Sequence, residues 1–417
     1  MRVYLHTFGC KANQYDTELM RQGLEDAGAV IVAAPGEADA AVINSCTVTN
    51  SGEAKMRGLV RRVARDNPGL TTVVTGCAAA VDDGRIASLP GVVCVVGGSD
   101  PQAVLDALGL ETAVDTTLLR SFQRGSRAWL RIQDGCDEHC TFCATVLARG
   151  VSRSRPPAEL AREARLLAQG HAEIVLTGVH IGTYGKDIPS KTSLAKLVAT
   201  LLDAVPDVRF RLSSVEATEI DDCLADLLVA APDRIAPHVH APLQSGSDRV
   251  LKRMGRHWYT AESYRRRLEW LAERLPVFGL GADVIVGFPG ESEADFAATV
   301  AVIESLPFTY LHVFPYSARP NSAAPRLGSP VDRNIAAKRS EALRVLVAGK
   351  RAVYEESRVG RRADVVLTRR RAGIVEGITE DYLTVEVVGD VATARFAAWV
   401  ERPANGLVAR PVGKAAA

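Results

Sequence analysis

Cys136, Cys140 and Cys143 fall in the run GCDEHCTFC, with three residues between the first two and two between the last two. Thiolates are soft ligands, and three of them on one short loop can hold three irons of a [4Fe–4S] cluster. The fourth iron is then left without a protein ligand, open to a second molecule. A cluster that only carries electrons normally has every iron held by a thiolate. Zinc is the competing reading, but zinc wants a fourth ligand and usually a second cysteine pair elsewhere. His139, inside the run, is the residue a zinc site could recruit. Eight cysteines in 417 residues are too sparse for a disulfide scaffold. The opening MRVYLHTFGC lacks a charged segment leading into an apolar one. No uninterrupted apolar stretch approaches membrane-spanning length, so no membrane partner is expected. Reduced thiols and a cluster point to the cytoplasm.

Such a loop needs a rigid frame. An α/β fold class with three domains is expected, at 1–112, 122–352 and 355–417. In the first, VYL, VIVAA (30–34), AAVINS (40–45), TTVVTG (71–76) and VVCVVG (92–97) read as strands, and 14–27, 52–66 and 101–109 as helices. That alternation predicts a mostly parallel sheet covered by helices. In the second, AWLRIQ, EIVLTG, VRFRLSS, APHVHAPL, FGLGADVIVG and TYLHVFPYS read as six strands with helical segments between them. Six βα units make an incomplete barrel, and the cysteine run directly follows its first strand, on the rim where barrel chemistry gathers. A long helix is expected over about 332–357. The tail then changes to DVVLTR, AGIVEGIT, YLTVEVVG and TARFAAWV, which predicts a small all-β barrel. The net charge of +1 gives no general support for a nucleic-acid partner, so any such surface must be local.

Three more cysteines stand at strand ends: Cys10 in TFGCKANQ, Cys46 in INSCTVTN and Cys77 in VTGCAAA. Strand C-termini of a parallel sheet share one edge, so these three can converge on a second cluster. Any one alone would read as an ordinary buried cysteine. Cys94, in an apolar strand, and Cys223, opening a helical segment, read as structural.

Phe142 immediately precedes the third cysteine of GCDEHCTFC, and here the run resembles the radical S-adenosylmethionine (SAM) superfamily. That resemblance implies SAM chelated on the open iron and cleaved by one electron to a carbon radical, with the aromatic residue near the adenine. The two cysteine sets, the six-strand barrel and the β tail together resemble the methylthiotransferases over essentially the whole chain. The family implies an N-terminal domain with an auxiliary [4Fe–4S] cluster, a TIM-like (β/α)6 radical SAM core and a C-terminal TRAM domain. It also implies transfer of a methylthio group to an unactivated C–H position, using two SAM molecules. EIVLTGVHIGTYG (173–185) and RLSSVEATEI (211–220) look like the branch acting on N6-threonylcarbamoyladenosine at position 37 of tRNA. The isopentenyladenosine branch usually has Gln-Asn, and the branch acting on a ribosomal-protein aspartate Gln-Asp, where Val179 and His180 stand here. Two departures bear on loop geometry and not on the cysteines: ATVLARG (144–150) carries no proline, and Ala217 stands where proline is common.

The resemblance implies Cys136, Cys140 and Cys143 as ligands of the SAM cluster, and Cys10, Cys46 and Cys77 as ligands of the auxiliary one. It places Gly178 beside the SAM amino group. Ser213 and Glu216 become candidates for SAM contacts, since a hydroxyl and a carboxylate suit ribose or ammonium; Gln244 and Asp283 are weaker candidates. His238 and His240 alternate on one strand and face one side, which fits a packed pair and a substrate contact alike. Arg149, Arg153 and Arg155 could reach the SAM carboxylate or RNA phosphate. Arg361, Arg362, Arg369, Arg370 and Arg371 form a local cluster on the TRAM-like tail that would hold RNA backbone. Tyr382, Phe396 and Trp399 are candidates to stack on bases or to fill the barrel. The implied partners are tRNA and a low-potential electron donor such as a flavodoxin or ferredoxin. From a different class comes a non-catalytic RNA-binding protein with a structural metal.

Overall fold

The computed structural model describes residues 1–112, 117–120, 125–189, 191–319, 321–371, 374–403 and 406–412; the side chains of 369–371 lie outside that description. Five strands, β1 (Arg2–Thr7), β2 (Val30–Val32), β3 (Ala40–Ser45), β4 (Thr71–Gly76) and β5 (Val92–Val95), form an all-parallel sheet in the order β2-β1-β3-β4-β5. Side chains alternate across it. Ala41, Ile43 and Val74 pack one way, against Met56, Val60 and Val63 of helix Asn50–Asp66. Val3, Val42 and Val73 pack the other way, against Met20 and Leu24 of helix Lys11–Asp26. That two-sided burial explains why β3 is buried at all six positions.

The next six-strand unit opens with β6 (Arg127–Arg131). A short hairpin, β7 (Gln133–Asp134) with β8 (Arg153–Ser154), brackets the cysteine run and was not legible as strand because each arm is two residues long. β9 (Glu173–Thr177), β10 (Arg209–Leu212), β11 (His238–His240), β12 (Gly279–Val286) and β13 (Tyr310–Pro315) complete it. Parallel pairing runs β6-β9-β10 and β11-β12-β13, and the bridges Phe210–Ile235 and Ser214–His240 join the two halves. The outer face packs its apolar residues against the crossover helices in one large core. The inner face is polar, and its lower layer is a buried ion cluster. There Glu173 accepts from Arg127 (2.6 Å), Arg209 (2.7 Å) and Arg211 (2.9 Å).

Helix Arg333–Arg358, capped by Asp332, leads to the last unit. The four strands expected there are present as β14 (Arg362–Arg371), β15 (Ile374–Thr379), β16 (Thr384–Val387) and β17 (Arg395–Glu401). A fifth, β18 (Val408–Pro411), slots between β16 and β17 and closes the barrel in the order β14-β15-β16-β18-β17. Its four residues end in proline, which hides the strand pattern. The turn between β15 and β16 is wedged beneath the six-strand unit. Arg211 donates to the carbonyls of Thr379 and Glu380, both at 3.0 Å. A Cβ on Gly279 would lie 2.0 Å from the Asp381 carbonyl oxygen. Only glycine allows so close an approach.

Candidate active site

Cys10, Cys46 and Cys77 follow β1, β3 and β4, which are neighbours in the sheet. Adjacent strands lie about 4.8 Å apart, so the three turns meet. Asn13 stitches them. Its side-chain NH2 donates to the carbonyls of Phe8 and Ser45, both at 2.9 Å, and its Oδ1 lies 3.8 Å from Cys10 Sγ and 3.6 Å from Cys77 Sγ. Gly76, at φ 91° and ψ −165°, turns β4 into Cys77. A Cβ there would sit 2.2 Å from Asn44 Oδ1 and 2.5 Å from the Ser45 carbonyl oxygen, so only glycine fits. Helix Lys11–Asp26 begins immediately after Cys10.

The second set hangs from the β7–β8 hairpin. Cys136 N–H donates to the Gly150 carbonyl, and Gly135, at φ 71°, has no room for a Cβ beside the Val151 carbonyl oxygen. Donors surround the sulfurs: Glu138 N–H to Cys136 Sγ (3.4 Å), Thr145 N–H to Cys143 Sγ (3.3 Å) and Arg256 Nη1 to Cys140 Sγ (3.6 Å). His180 Nδ1 lies 3.7 Å from Cys136 Sγ and its Nε2 3.0 Å from Glu219 Oε2. Burial pushes that imidazole down, but the Cys136 and Glu219 hydrogen bonds outweigh it and hold the ring charged, to about 10.

All six cysteines wall one cavity of about 340 Å³. Phe142, Gly178, Glu216, Gln244 and Asp283 share its wall. Ser213 does not; Ser214 takes its place, because β10 ends at Leu212 and Ser214 bridges to His240 on the next strand. Burial pushes the Cys77 thiol up to about 11 and Cys140 up to about 12, against the pull of Arg149 and Arg256 respectively. Two triads of soft donors converging on one cavity suit iron. Glu216 forms an ion pair with Arg256 through Oε1, and its Oε2 is buried without a partner. An acceptor left open on the cavity wall suits a ligand's hydroxyl or ammonium. The residues present therefore fit both clusters and SAM.

The other sequence candidates divide. Arg149 is buried and fully engaged: Nη2 donates to Asn13 Oδ1 and Asp16 Oδ2, both at 2.7 Å, Nη1 to Asp134 Oδ1 (2.8 Å) and Nε to Cys77 Sγ (3.2 Å). Arg155 is taken by Glu163 (2.6 Å) and Tyr15 (3.0 Å). Neither is free for a SAM carboxylate or RNA phosphate; both join the first sheet domain to the second. Arg319 does the same from the far side, meeting Asn50, Thr47 and Glu53. Arg153 is more open, 3.8 Å from Asp134. Tyr382 stacks on His238, with ring centroids 4.3 Å apart, and lies under Arg211; it is not free for a base. Phe396 packs on the small barrel's core, and Trp399 is 44% exposed. Arg361 and Arg362 are exposed. Arg369, Arg370 and Arg371 lie in β14 with side chains outside the described residues. Cys94 packs partly buried, whereas Cys223 is exposed rather than part of a core. His238 and His240 belong to a ladder: His238 Nε2 and His240 Nδ1 both meet the Tyr310 hydroxyl, and His240 Nε2 reaches Asp283 Oδ1 at 3.1 Å. Sequence reasoning missed Asn13, Arg256 and Trp258 as parts of the site. An asparagine within the first turn of a helix was the one signal available for Asn13.

Comparisons with known proteins agree with this geometry. Residues 2–98 match the family described as "Uncharacterized protein family UPF0004", and residues 130–303 match the radical SAM superfamily. The chain is 41% identical to the threonylcarbamoyladenosine tRNA methylthiotransferase MtaB of Bacillus subtilis, over 80% of this chain and 77% of that one. It is 34% identical to the MtaB of Thermotoga maritima, over 93% and 92%. It is 33% identical to a tRNA-2-methylthio-N(6)-dimethylallyladenosine synthase of Roseobacter denitrificans, over 98% of each. Among solved structures, the radical SAM methyltransferase TsrM of Kitasatospora setae superposes with a TM-score of 0.57 at 16% identity, covering 78% of this chain and 76% of that one. At that identity the likeness is one of fold.

Proposed function

Because this chain belongs to the radical SAM methylthiotransferases, in their MtaB-like branch, we propose that it converts N6-threonylcarbamoyladenosine at position 37 of tRNA to its 2-methylthio derivative. Two SAM molecules and two [4Fe–4S] clusters serve the reaction. One observation carries this reading: both cysteine triads face a single cavity, so a site for radical generation and a site for sulfur can share one space. When bound, the clusters and SAM supply one-electron chemistry and the sulfur to be transferred. The chain's own residues do the rest. Six thiolates hold iron, and Arg256, Thr145 and Glu138 direct N–H groups at the sulfurs, which tunes their potential. Glu216 offers its free oxygen to SAM, and Phe142 lines the adenine side. Arg361, Arg362, Arg369, Arg370 and Arg371 hold RNA backbone, and a low-potential flavodoxin or ferredoxin delivers electrons. We assign these three duties to domains at 1–112, 122–352 and 355–417.

Mass spectrometry of tRNA nucleosides from a deletion strain tests the substrate. Loss of 2-methylthio-N6-threonylcarbamoyladenosine is expected. Loss of the 2-methylthio dimethylallyl nucleoside instead, or of neither, would overturn the assignment. Glu216→Gln tests the SAM contact. The neutral amide keeps the shape and should weaken SAM binding about tenfold, or ~1.4 kcal/mol, with unchanged iron content. Titration calorimetry reads it, and unaltered affinity would remove Glu216 from the SAM site.

A further inference from the structure

His240, Asp283 and His312 come together on the inner face of the six-strand unit, outside both cysteine sets. His240 Nε2 and His312 Nδ1 each lie 3.1 Å from Asp283 Oδ1, and the three ligand atoms all fall within 4.8 Å of one another. Strand register builds the group. β11, β12 and β13 run parallel, with His240 beside Gly281 and Gly281 beside Tyr310; on the next step of the same face, Asp283 stands beside His312. Alternate residues of a strand share a face, and neighbouring strands lie about 4.8 Å apart, so three strands deliver their donors to one spot.

The glycine between them is required. A Cβ on Gly281 would lie 2.0 Å from Tyr310 Cζ. Without one, the Tyr310 ring lies over β12, and its hydroxyl meets His240 Nδ1 at 3.0 Å and His238 Nε2 at 2.9 Å. That contact engages one nitrogen of His240 and leaves the other directed at Asp283. A metal-ligating histidine is held in the same way, with one ring nitrogen on the ion and the other on a polar partner that fixes tautomer and orientation. His240 is buried and keeps this pose, whereas the His312 side chain is 56% exposed and leaves the group open to an incoming ion. Both imidazoles address the same carboxylate oxygen, so they converge on a point. The spacing also suits ligation: donors held about 2.0–2.1 Å from one cation at tetrahedral or octahedral angles stand about 3.0–3.4 Å apart.

We propose that His240, Asp283 and His312 bind a divalent cation of the zinc type. Two imidazoles and a carboxylate are the donor set of three-ligand zinc and non-haem iron sites. Nitrogen and oxygen donors set this site apart from the two thiolate triads. Asp283 also stands on the wall of the cavity that the six cysteines share. Three protein ligands leave coordination positions open, as catalytic zinc sites do and closed structural ones do not. A cation here therefore presents a Lewis-acid contact to an oxygen donor, a carboxylate or a phosphate, at the edge of that cavity. The site is independent of which nucleoside is the substrate.

The probe is zinc alone, added to full-length, anaerobically reconstituted protein whose cysteines already hold iron. Elemental analysis after desalting should find about one zinc per chain with iron content unchanged. X-ray absorption at the zinc edge should show nitrogen and oxygen neighbours at about 2.0–2.1 Å and no sulfur shell at about 2.3 Å. His312→Ala removes an exposed ligand without opening a core. In competition with a chelating dye it should weaken zinc binding by more than about a hundredfold, beyond what loss of an outer-shell partner costs. Asp283→Asn keeps the shape of the carboxylate and should act in the same direction. Wild-type protein that retains no zinc, a sulfur shell around the zinc, zinc gained only as iron is lost, or equal affinity in wild type and His312→Ala would each overturn the inference.

Discussion

Replacing Cys10, Cys46 and Cys77 together with alanine is expected to leave about four irons per chain where reconstituted wild-type protein holds about eight. Methylthio transfer should fall to the detection limit, while reductive cleavage of SAM to 5′-deoxyadenosine persists. The separation follows from architecture. The three residues hang from β1, β3 and β4 of the first sheet, and Cys136, Cys140 and Cys143 hang from the β7–β8 hairpin. No backbone is shared between the two sets. The thiols are partly exposed at the edge of a cavity, so alanine leaves no large void in either apolar core. Iron analysis and a deoxyadenosine assay on one preparation read both halves. Retention of about eight irons would remove these cysteines from the ligand set, and loss of deoxyadenosine would show that the sites are not independent.

Arg149→Met is expected to have the next largest effect, and at no distance from the thiols. The guanidinium is the common partner of Asp16, whose side chain is fully buried, of Asp134, and of the Asn13 side-chain Oδ1 between Cys10 and Cys77. Removing one partner of a buried charge network costs about 3–5 kcal/mol, because the remaining carboxylates keep their burial and lose their compensation. Arg131 also reaches Asp16 and recovers part of this. The fold should survive with the sheet domain loosened from the six-strand unit. Differential scanning calorimetry should then show two resolved transitions where wild-type protein shows closer ones. Transfer should fall by about a hundredfold, the scale of a roughly 1 Å misplacement, with iron content near that of wild type. Arg149→Lys restores charge but not the planar fork, and should recover only part. Unchanged transfer in Arg149→Met would show that the two triads need no such strut.

Strand positions were readable because buried parallel strands are short β-branched runs bounded by turn residues, as AAVINS and TTVVTG are. The placing of Cys10, Cys46 and Cys77 on adjacent turns followed from that reading. What escaped it was pairing over long separations. ARGVSRSR reads as a cluster of free arginines, yet two of the partners of Arg149, Asn13 and Asp16, lie more than 130 residues away. No local pattern reports such partners. The Ser213 expectation failed for a smaller reason: alternation is regular only within a strand, and β10 stops one residue before it. Tyr382 lay in a turn, where an aromatic ring suggests an exposed stacking surface. Its positive φ of 75° instead turns it inward against His238.

That wedged turn has a consequence for scale. Arg211 grips its carbonyls, Arg209 grips Asp364, and Gly279 leaves it no clearance. The C-terminal barrel is thereby clamped to the floor of the unit whose rim carries the reacting thiols, and it does not swing on a tether. On the proposed function, a polymer held by the one and modified at the other would be measured by a fixed gauge. The nucleotide reaching the cavity would then be chosen by how far it stands along the strand from the point of grip, before its chemistry is inspected.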